Sequence, residues 1–309
     1  MHLGIDIGGT NIKHGILDDN SYCIETDSMQ TNSHLGVENV VSRIKAVIYY
    51  YKKKYDVSSI GIGVPGVVSP EGCVIIAPNM EGWKNIQLKK MLAEDFTMPI
   101  AIDNDANAAA IAELTEGAGK GLLHFLYVTL GTGVGAGIIS DGKIFRGETG
   151  SSGEIGHVII DAFFGKTNPA VFRTGVLETY TGRKEIIDFA VSFLKNSPDS
   201  SLHSLGEKID VKDIADHARN GDRAALQIIK RTGYLLGIGI TSALNLLDLR
   251  TVIVGGGVAN SGRILLDEVE KTIQKRALPN IADNIKVVQA HFRKDTGIYG
   301  AALLGKLFS

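Results

Sequence analysis

Cysteine is almost missing from this chain: Cys23 and Cys73 are the only two among 309 residues. That is too few for a disulfide framework and excludes the small cross-linked secreted class. Both fall in strand-like stretches, where buried thiols are the default expectation. An excess of one charge is lacking too. Lys and Arg total 32 against 34 Asp and Glu, a net charge of −2, so no basic footprint points to nucleic acid. The one cationic run, Lys52-Lys53-Lys54, sits on a predicted helix and reads as a solvated face. No apolar run approaches the ~20 residues that cross a bilayer. The opening MHLGIDIGGT has neither the basic stretch nor the long apolar core of a secretory leader. The expectation is a cytoplasmic protein with neither membrane nor nucleic-acid partners.

What is present is glycine, 37 residues of it, gathered at turns between apolar strands. The opening reads as strand, tight Gly8-Gly9-Thr10 turn and strand, from His2 to Leu17. A helix is predicted over Val37–Tyr55, with Val40, Val41, Ile44, Val47 and Ile48 on one face. A buried strand over Ile60–Val64, a strand and turn over Glu71–Gly82, a helix near Leu88–Phe96 and a strand over Ile100–Asp103 follow. An alanine-rich helix, Asp105–Glu116, then runs into Gly117-Ala118-Gly119-Lys120-Gly121, the best candidate domain boundary.

Beyond that boundary the opening pattern recurs. His124–Thr129 and Val134–Ser140 are predicted strands around a second turn that also carries Gly-Thr, at Gly131-Thr132. Two such hairpins, one opening each half, suggest a duplicated α/β domain. Helices over Arg183–Lys195, Val211–Arg219, Arg223–Leu247, Gly262–Arg276 and Thr296–Leu307 fill the rest, with strands at Thr251–Val254 and Ile285–Ala290.

Three glycine turns can carry chemistry. In Asp6-Ile7-Gly8-Gly9-Thr10-Asn11-Ile12-Lys13, glycines let backbone N–H groups approach a phosphate with no Cβ between. Asp6 is placed to hold Mg²⁺ through water, and Thr10 and Lys13 add a hydroxyl and a positive charge. Gly131-Thr132-Gly133 offers the same chemistry, and Gly255-Gly256-Gly257 follows a buried strand and precedes a helix, whose start favours anions. Each alone is compatible with an ordinary turn. Two rival motifs fail. Gly61-Ile62-Gly63-Val64-Pro65-Gly66 leads into Val67, Val68, Ser69 and Pro70 and not into a helix, so the dinucleotide reading loses its context. Gly165-Lys166-Thr167 lacks a P-loop's earlier glycine, because that position is Ile160.

Asp103-Asn104-Asp105-Ala106-Asn107 marks the junction of a buried strand and a helix, where α/β sheets hold ligands. Asp105 reads either as a helix cap or as a general base toward a hydroxyl. Asn104 can donate to and accept from neighbouring hydroxyls. Glu154, His157 and Glu178 add polar groups suited to a polyol; His157 alone reads equally as a structural histidine.

Taken together these segments resemble the ROK family of sugar kinases and related repressors. The likeness runs through DIGGTNIK (from Asp6), GVPG (from Gly63), PNMEGW (from Pro78), DNDANAAA (from Asp103), LGTGVGAGI (from Leu130), GEIGH (from Gly153), LET (from Leu177) and VGGGV (from Val254). The resemblance implies an α/β chain of two ribonuclease H-like domains, of the actin, Hsp70 and sugar kinase superfamily, flanking a cleft. The first would be residues 1–118 completed by a C-terminal helix over about 296–309, the second 119–295. It further implies Asp105 as catalytic base, and a sugar held by Gly66, Asn79, Asn104, Glu154, His157 and Glu178. ATP would lie along Gly8, Gly9, Thr10, Lys13, Gly131, Thr132, Gly133, Gly255 and Gly256, with Mg²⁺ near Asp6. A homodimer is implied by analogy. The expected substrate is a hexose, glucose by default, with fructose, N-acetylmannosamine, N-acetylglucosamine and β-glucosides as alternatives. A repressor of the same family needs an N-terminal helix-turn-helix, which the phosphate hairpin beginning within six residues of Met1 leaves no room for. A non-catalytic sugar-binding protein is the third reading, against which the intact Asp105 and three turns argue.

One departure is plain. The family's zinc site joins the GEIGH histidine to three cysteines, and those positions here are Pro169, Val171 and Val176. Zinc needs nitrogen or thiolate donors, so no zinc is expected, and His157 needs another partner to orient it.

Overall fold

Leu3, Ile5 and Ile7 alternate along the first strand, and that period of two becomes β1 (His2–Ile7). The structure is a computed structural model that describes residues 1–168, 173–293 and 295–308. β2 (Asn11–Leu17) and β3 (Cys23–Gln30) continue antiparallel from β1. Helix α1 (Val37–Lys54) buries Val40, Val41, Ile44, Val47, Ile48 and Tyr51, the stripe expected of a 3.6-residue period. β4 (Ser59–Val64) follows, then a small antiparallel sheet of β5 (Val67–Val68), β6 (Val74–Ile76) and β7 (Lys84–Ile86). Helix α2 (Leu88–Ala93), strand β8 (Ile100–Asn104) and helix α3 (Asp105–Glu116) complete this half. The main sheet has the order β3-β2-β1-β4-β8, with β1, β4 and β8 parallel.

The second half runs β9 (Phe125–Leu130), β10 (Val134–Ser140), β11 (Lys143–Phe145), β12 (Thr167–Asn168) and β13 (Arg173–Thr174). Helices α4 (Glu178–Thr181), α5 (Arg183–Leu194), α6 (Val211–Arg219) and α7 (Arg223–Leu247) follow. Then come β14 (Thr251–Gly255), α8 (Arg263–Arg276), α9 (Pro279–Ala282), β15 (Lys286–Gln289) and α10 (Thr296–Leu307). The second sheet has the order β11-β10-β9-β14-β15, with β9, β14 and β15 parallel. It repeats the first sheet's plan: a meander whose first strand is extended by parallel neighbours.

The chain divides into two compact units, Met1–Leu122 with Gly137–Gly153 and Lys294–Ser309, and Leu123–Ala136 with Glu154–Arg293. In the first, α10 lies on the sheet so closely that two strand positions have no space for a side chain. A Cβ at Gly4 would fall 2.1 Å from the Ile298 carbonyl oxygen, and one at Gly61 only 1.7 Å from that of Ala301. Glycine here permits backbone approach, and the helix answers with Gly300, Ala301, Ala302 and Gly305, all buried. In the second unit α7 is capped by Asp222, whose Oδ1 accepts the Ala225 amide at 2.9 Å.

Some expectations need correction. Cys23 and Cys73 are free and half-buried, not buried. Cys73 lies in the turn before β6, outside any strand, and its sulfur receives Gln87 Nε2 at 3.2 Å. Gly255-Gly256-Gly257 passes first into a 3₁₀ turn (Val258–Ser261), and Gly262 at φ 72° precedes α8. The α-helical start expected just after those glycines is therefore displaced to Arg263.

Candidate active site

The first unit aligns its chemistry by strand register. Lys13 pairs with Asp6 across β1 and β2, Asp6 with Gly63 across β1 and β4, and Gly63 with Asp103 across β4 and β8. These four residues form one row at the carboxyl ends of the three parallel strands, where loops and helix starts collect ligands. Gly63 leaves that row open: a Cβ there would have Asp105 Cα at 3.6 Å and Asp6 Oδ1 at 3.7 Å. Asp6 and Asp105 therefore border one small space.

Asp6 sits against the first turn of α10, since a Cβ on Gly297 would lie 2.1 Å from its Oδ2. Burial pushes its carboxyl above the usual range, and the Lys13 ammonium draws it back. The Gly8-Gly9-Thr10 turn is braced from behind. Gly8 N donates to Asn11 O at 2.9 Å, Thr31 Oγ1 to Gly8 O at 2.6 Å, and Thr31 N to Thr10 O at 2.8 Å. Asn79 stands beside it, its carbonyl 3.6 Å from where a Gly9 Cβ would be. Asp6, Gly8, Gly9, Thr10, Lys13 and Asn79 thus gather at one turn.

At the junction of β8 and α3 the helix cap is Asn104, not Asp105. Its Oδ1 accepts the amides of Ala106 at 2.8 Å and Asn107 at 3.2 Å, and its Nδ2 donates to Gly66 O at 3.0 Å. Asn104 is therefore fixed at both ends of its amide and ties Gly66 to the start of α3. Asp105 Oδ1 accepts the Ala106 amide at 2.8 Å, so the carboxylate is held at the helix start, where the macrodipole favours its charge.

Sequence reasoning gave no role to Asp103 and missed Arg146. Asp103 is 2% exposed; its Oδ1 accepts Asn104 N and Asn107 Nδ2, each at 2.8 Å, while Oδ2 accepts Arg146 Nε at 2.8 Å. Arg146 follows the short strand β11 and belongs to no motif, so nothing local advertised it.

In the second unit the sugar-type residues meet a glycine turn. Glu178 Oε2 accepts Val134 N at 3.0 Å and lies 2.3 Å from where a Gly133 Cβ would stand. Gly156 packs on the same residue from the GEIGH segment, with the Val134 carbonyl oxygen 2.3 Å from its own would-be Cβ. Glu154, His157 and Glu178 are thereby collected around Gly133-Val134. His157 Nε2 lies 3.7 Å from Glu154 Oε2. Although Glu154 keeps much of its surface in water, crowding by protein atoms raises its carboxyl, with His157 opposing and the Glu178 charge adding to the rise. The third turn lies alongside the second: Gly255 registers with Thr129, and Gly256, at φ 85°, packs on the backbone of Leu130. Gly131 is anchored to α5 through Arg183 N on its carbonyl oxygen at 3.0 Å, and Thr132 follows it in the same turn.

The zinc question turns on donors. His157 Nδ1 is buried and has no hydrogen-bond partner among the described residues. Pro169 and Val171 lie outside the described residues, and Val176 is buried, its backbone paired with Ile159 in an isolated antiparallel bridge. Among the described residues no three His, Cys, Asp or Glu side chains converge on one point. The donors among the described residues do not fit zinc. For Mg²⁺, Asp6 offers an oxygen donor at the braced turn, the hard ligand that ion takes. No helix of the described residues is long and apolar enough to cross a membrane.

Comparison with known proteins places this arrangement. The chain belongs to the ROK family, whose model matches residues 2–307. It is similar to the glucokinase of Halalkalibacterium halodurans, 33% identical over 314 residues, covering 99% of this chain and 94% of that one. A ROK family glucokinase from Streptomyces griseus, solved with glucose and AMPPNP, superposes with a TM-score of 0.85 at 31% identity, covering 99% of each chain. The xylose repressor of Bacillus spizizenii is 27% identical, over 96% of this chain and 75% of that protein. The fold is the ribonuclease H-like α/β fold of the sugar kinase superfamily.

Proposed function

We propose that this protein is an ATP-dependent sugar kinase whose acceptor is a hexose, glucose by preference, phosphorylated at its 6-hydroxyl. The observation that carries the reading is the register row Lys13–Asp6–Gly63–Asp103, with Asp105 directly after it at the start of α3. A cation, a carboxylate beside a braced glycine turn and a second carboxylate at a helix start are the parts phosphoryl transfer uses. The glucokinase relatives support the acceptor class.

In this reading Asp105 takes the proton of the attacking hydroxyl as its oxygen bonds to the γ-phosphorus. The bond from that phosphorus to the β,γ-bridging oxygen breaks, and ADP leaves with the electron pair. The candidate ligands for the other hydroxyls are Asn104, Gly66 and Asn79 in the first unit; in the second they are Glu154, His157 and Glu178. The candidate ATP contacts in the first unit are Gly8, Gly9, Thr10 and Lys13; in the second they are Gly131, Thr132, Gly133, Gly255 and Gly256. Mg²⁺ accompanying the nucleotide supplies charge neutralisation, and Asp6 would hold it through water. Zinc has no part.

The test is ADP release across glucose, fructose, N-acetylglucosamine, N-acetylmannosamine and a β-glucoside, beside Asp105→Ala. Glucose is expected to give the highest kcat/KM, and the variant to lose ~10²–10⁴-fold in turnover. Unchanged turnover in Asp105→Ala would remove it as the base. Sugar binding without turnover on any acceptor would favour a second reading, a sugar-sensing protein, which the repressor relative supports.

A further inference from the structure

In the first unit, away from the Gly8–Thr10 turn, a cavity of about 210 Å³ opens between the β5–β6 turn, β8 and the end of α10. That volume exceeds by more than tenfold the ~10–15 Å³ a single water requires. Two of its lining side chains are cations, Lys89 and Arg146, and none is a carboxylate; Ile102, Leu304 and Phe308 supply an apolar wall. The Arg146 charge is balanced by the buried Asp103 carboxylate, which leaves the Lys89 charge in excess at the cavity. Arg146 commits its Nε to Asp103, and among the described residues its two terminal nitrogens have no hydrogen-bond partner. Its guanidinium lies over the Phe308 ring, 4.8 Å from the centroid. Lys89 has no ion-pair partner among the described residues. Its stem packs on Gly72, with Cβ and Cδ 2.8 and 3.0 Å from where a Gly72 Cβ would stand, and its amide donates to Gly72 O at 3.2 Å. Both cations thus pack against the fold, while the Arg146 terminal nitrogens and the Lys89 ammonium remain unspent among the described residues.

A guanidinium that spends only its Nε on Asp103, at a cavity also lined by an ammonium and by no further carboxylate, offers donors that match an anion carrying several oxygens. We propose that this cavity binds a small phosphate-bearing anion. Its oxygens take the Arg146 terminal nitrogens and the Lys89 ammonium, and any organic body lies against Phe308 and Leu304. The site is separate from the glycine turns, and its occupancy does not depend on the kinase reading. Through Arg146 it connects to Asp103, and so to the amide of Asn104 and the side chain of Asn107 at the start of α3.

The experiment is isothermal titration of the full chain at constant ionic strength. A saturating non-hydrolysable ATP analogue occupies the glycine turns, and inorganic phosphate and glycerol 3-phosphate serve as probes. A single site is expected whose affinity falls at least tenfold in Lys89→Gln, an exposed position where the fold is not at risk. If Phe308→Ala weakens only glycerol 3-phosphate, the ligand is a phosphomonoester. If phosphate binds as tightly as the ester and Phe308→Ala changes neither, it is free phosphate. Binding of neither probe, or binding that Lys89→Gln leaves unchanged, overturns the proposal.

Discussion

Arg146 Nε meets Asp103 Oδ2 at 2.8 Å across 43 residues of sequence, and the carboxylate it meets is all but sealed from solvent. Asp103 in turn holds the Asn104 amide and the Asn107 side chain, so one buried charge organises the start of α3 beside Asp105. Removing the cation leaves that charge buried with only neutral donors, which typically costs 3–5 kcal/mol. Because Arg146 itself is about a quarter exposed, Arg146→Met is expected near the lower figure, about 3 kcal/mol. Urea unfolding measures it; a loss under about 1 kcal/mol would show the pair to be structurally idle.

Asp6 makes the opposite contribution. Burial lifts its carboxyl above the unfolded value of 3.8, with Lys13 moderating the shift. The native chain therefore holds this proton more readily than the unfolded one, and stability falls as pH rises from the unfolded value through the raised one. Asp6→Asn is expected to be more stable than the parent at pH 7, with the gap closing toward pH 3, while activity drops. Urea midpoints across that range decide it; a gap independent of pH would refute the assignment.

Asp222 behaves in the ordinary direction. Burial opposes its ionisation, but the Ala225 amide, the Ser201 and Ser200 hydroxyls and the Ser201 amide together bring its carboxyl down to about 2. Its stabilisation is complete above the unfolded range and is lost as pH falls toward 2. Asp222→Ala should cost ~1 kcal/mol at pH 7, a typical cap loss at the start of α7. The difference from the parent should vanish in acid, as circular dichroism melts would record.

The donor set around His157 predicts a zinc-free protein. Elemental analysis of the purified chain should find well under one zinc per chain, and a chelator should leave the melting temperature unchanged. One zinc per chain surviving dialysis would contradict the reading. His157→Asn tests the histidine separately. With Nδ1 unpartnered among the described residues, folding should tolerate the change while sugar KM rises.

Much of the fold was legible because its signals are local. The predicted helices Asp105–Glu116, Val211–Arg219, Arg223–Leu247 and Thr296–Leu307 coincide with α3, α6, α7 and α10; α6 and α7 have an apolar period, and α3 and α10 are runs dominated by small and apolar residues. Strands of two or three residues, such as β5, β7 and β11, were invisible because so short a run has no period. The glycine turns were legible as turns, but what each touches was not. Asn104 taking the cap from Asp105 depends on rotamers, and Glu178 reaching Val134 depends on a contact 44 residues apart. Arg146 lies outside every motif, and only the strand order that brings β11 round could reveal its partner.

The fit of α10 onto Gly4 and Gly61 has a temporal consequence. The helix that fills the first unit's sheet is synthesised after the whole of the second unit, so the earliest strands leave the ribosome without the partner that covers them. The second unit can finish folding while the first still waits, and during that interval β1 and β4 present bare glycine backbone to any chaperone or stray strand nearby.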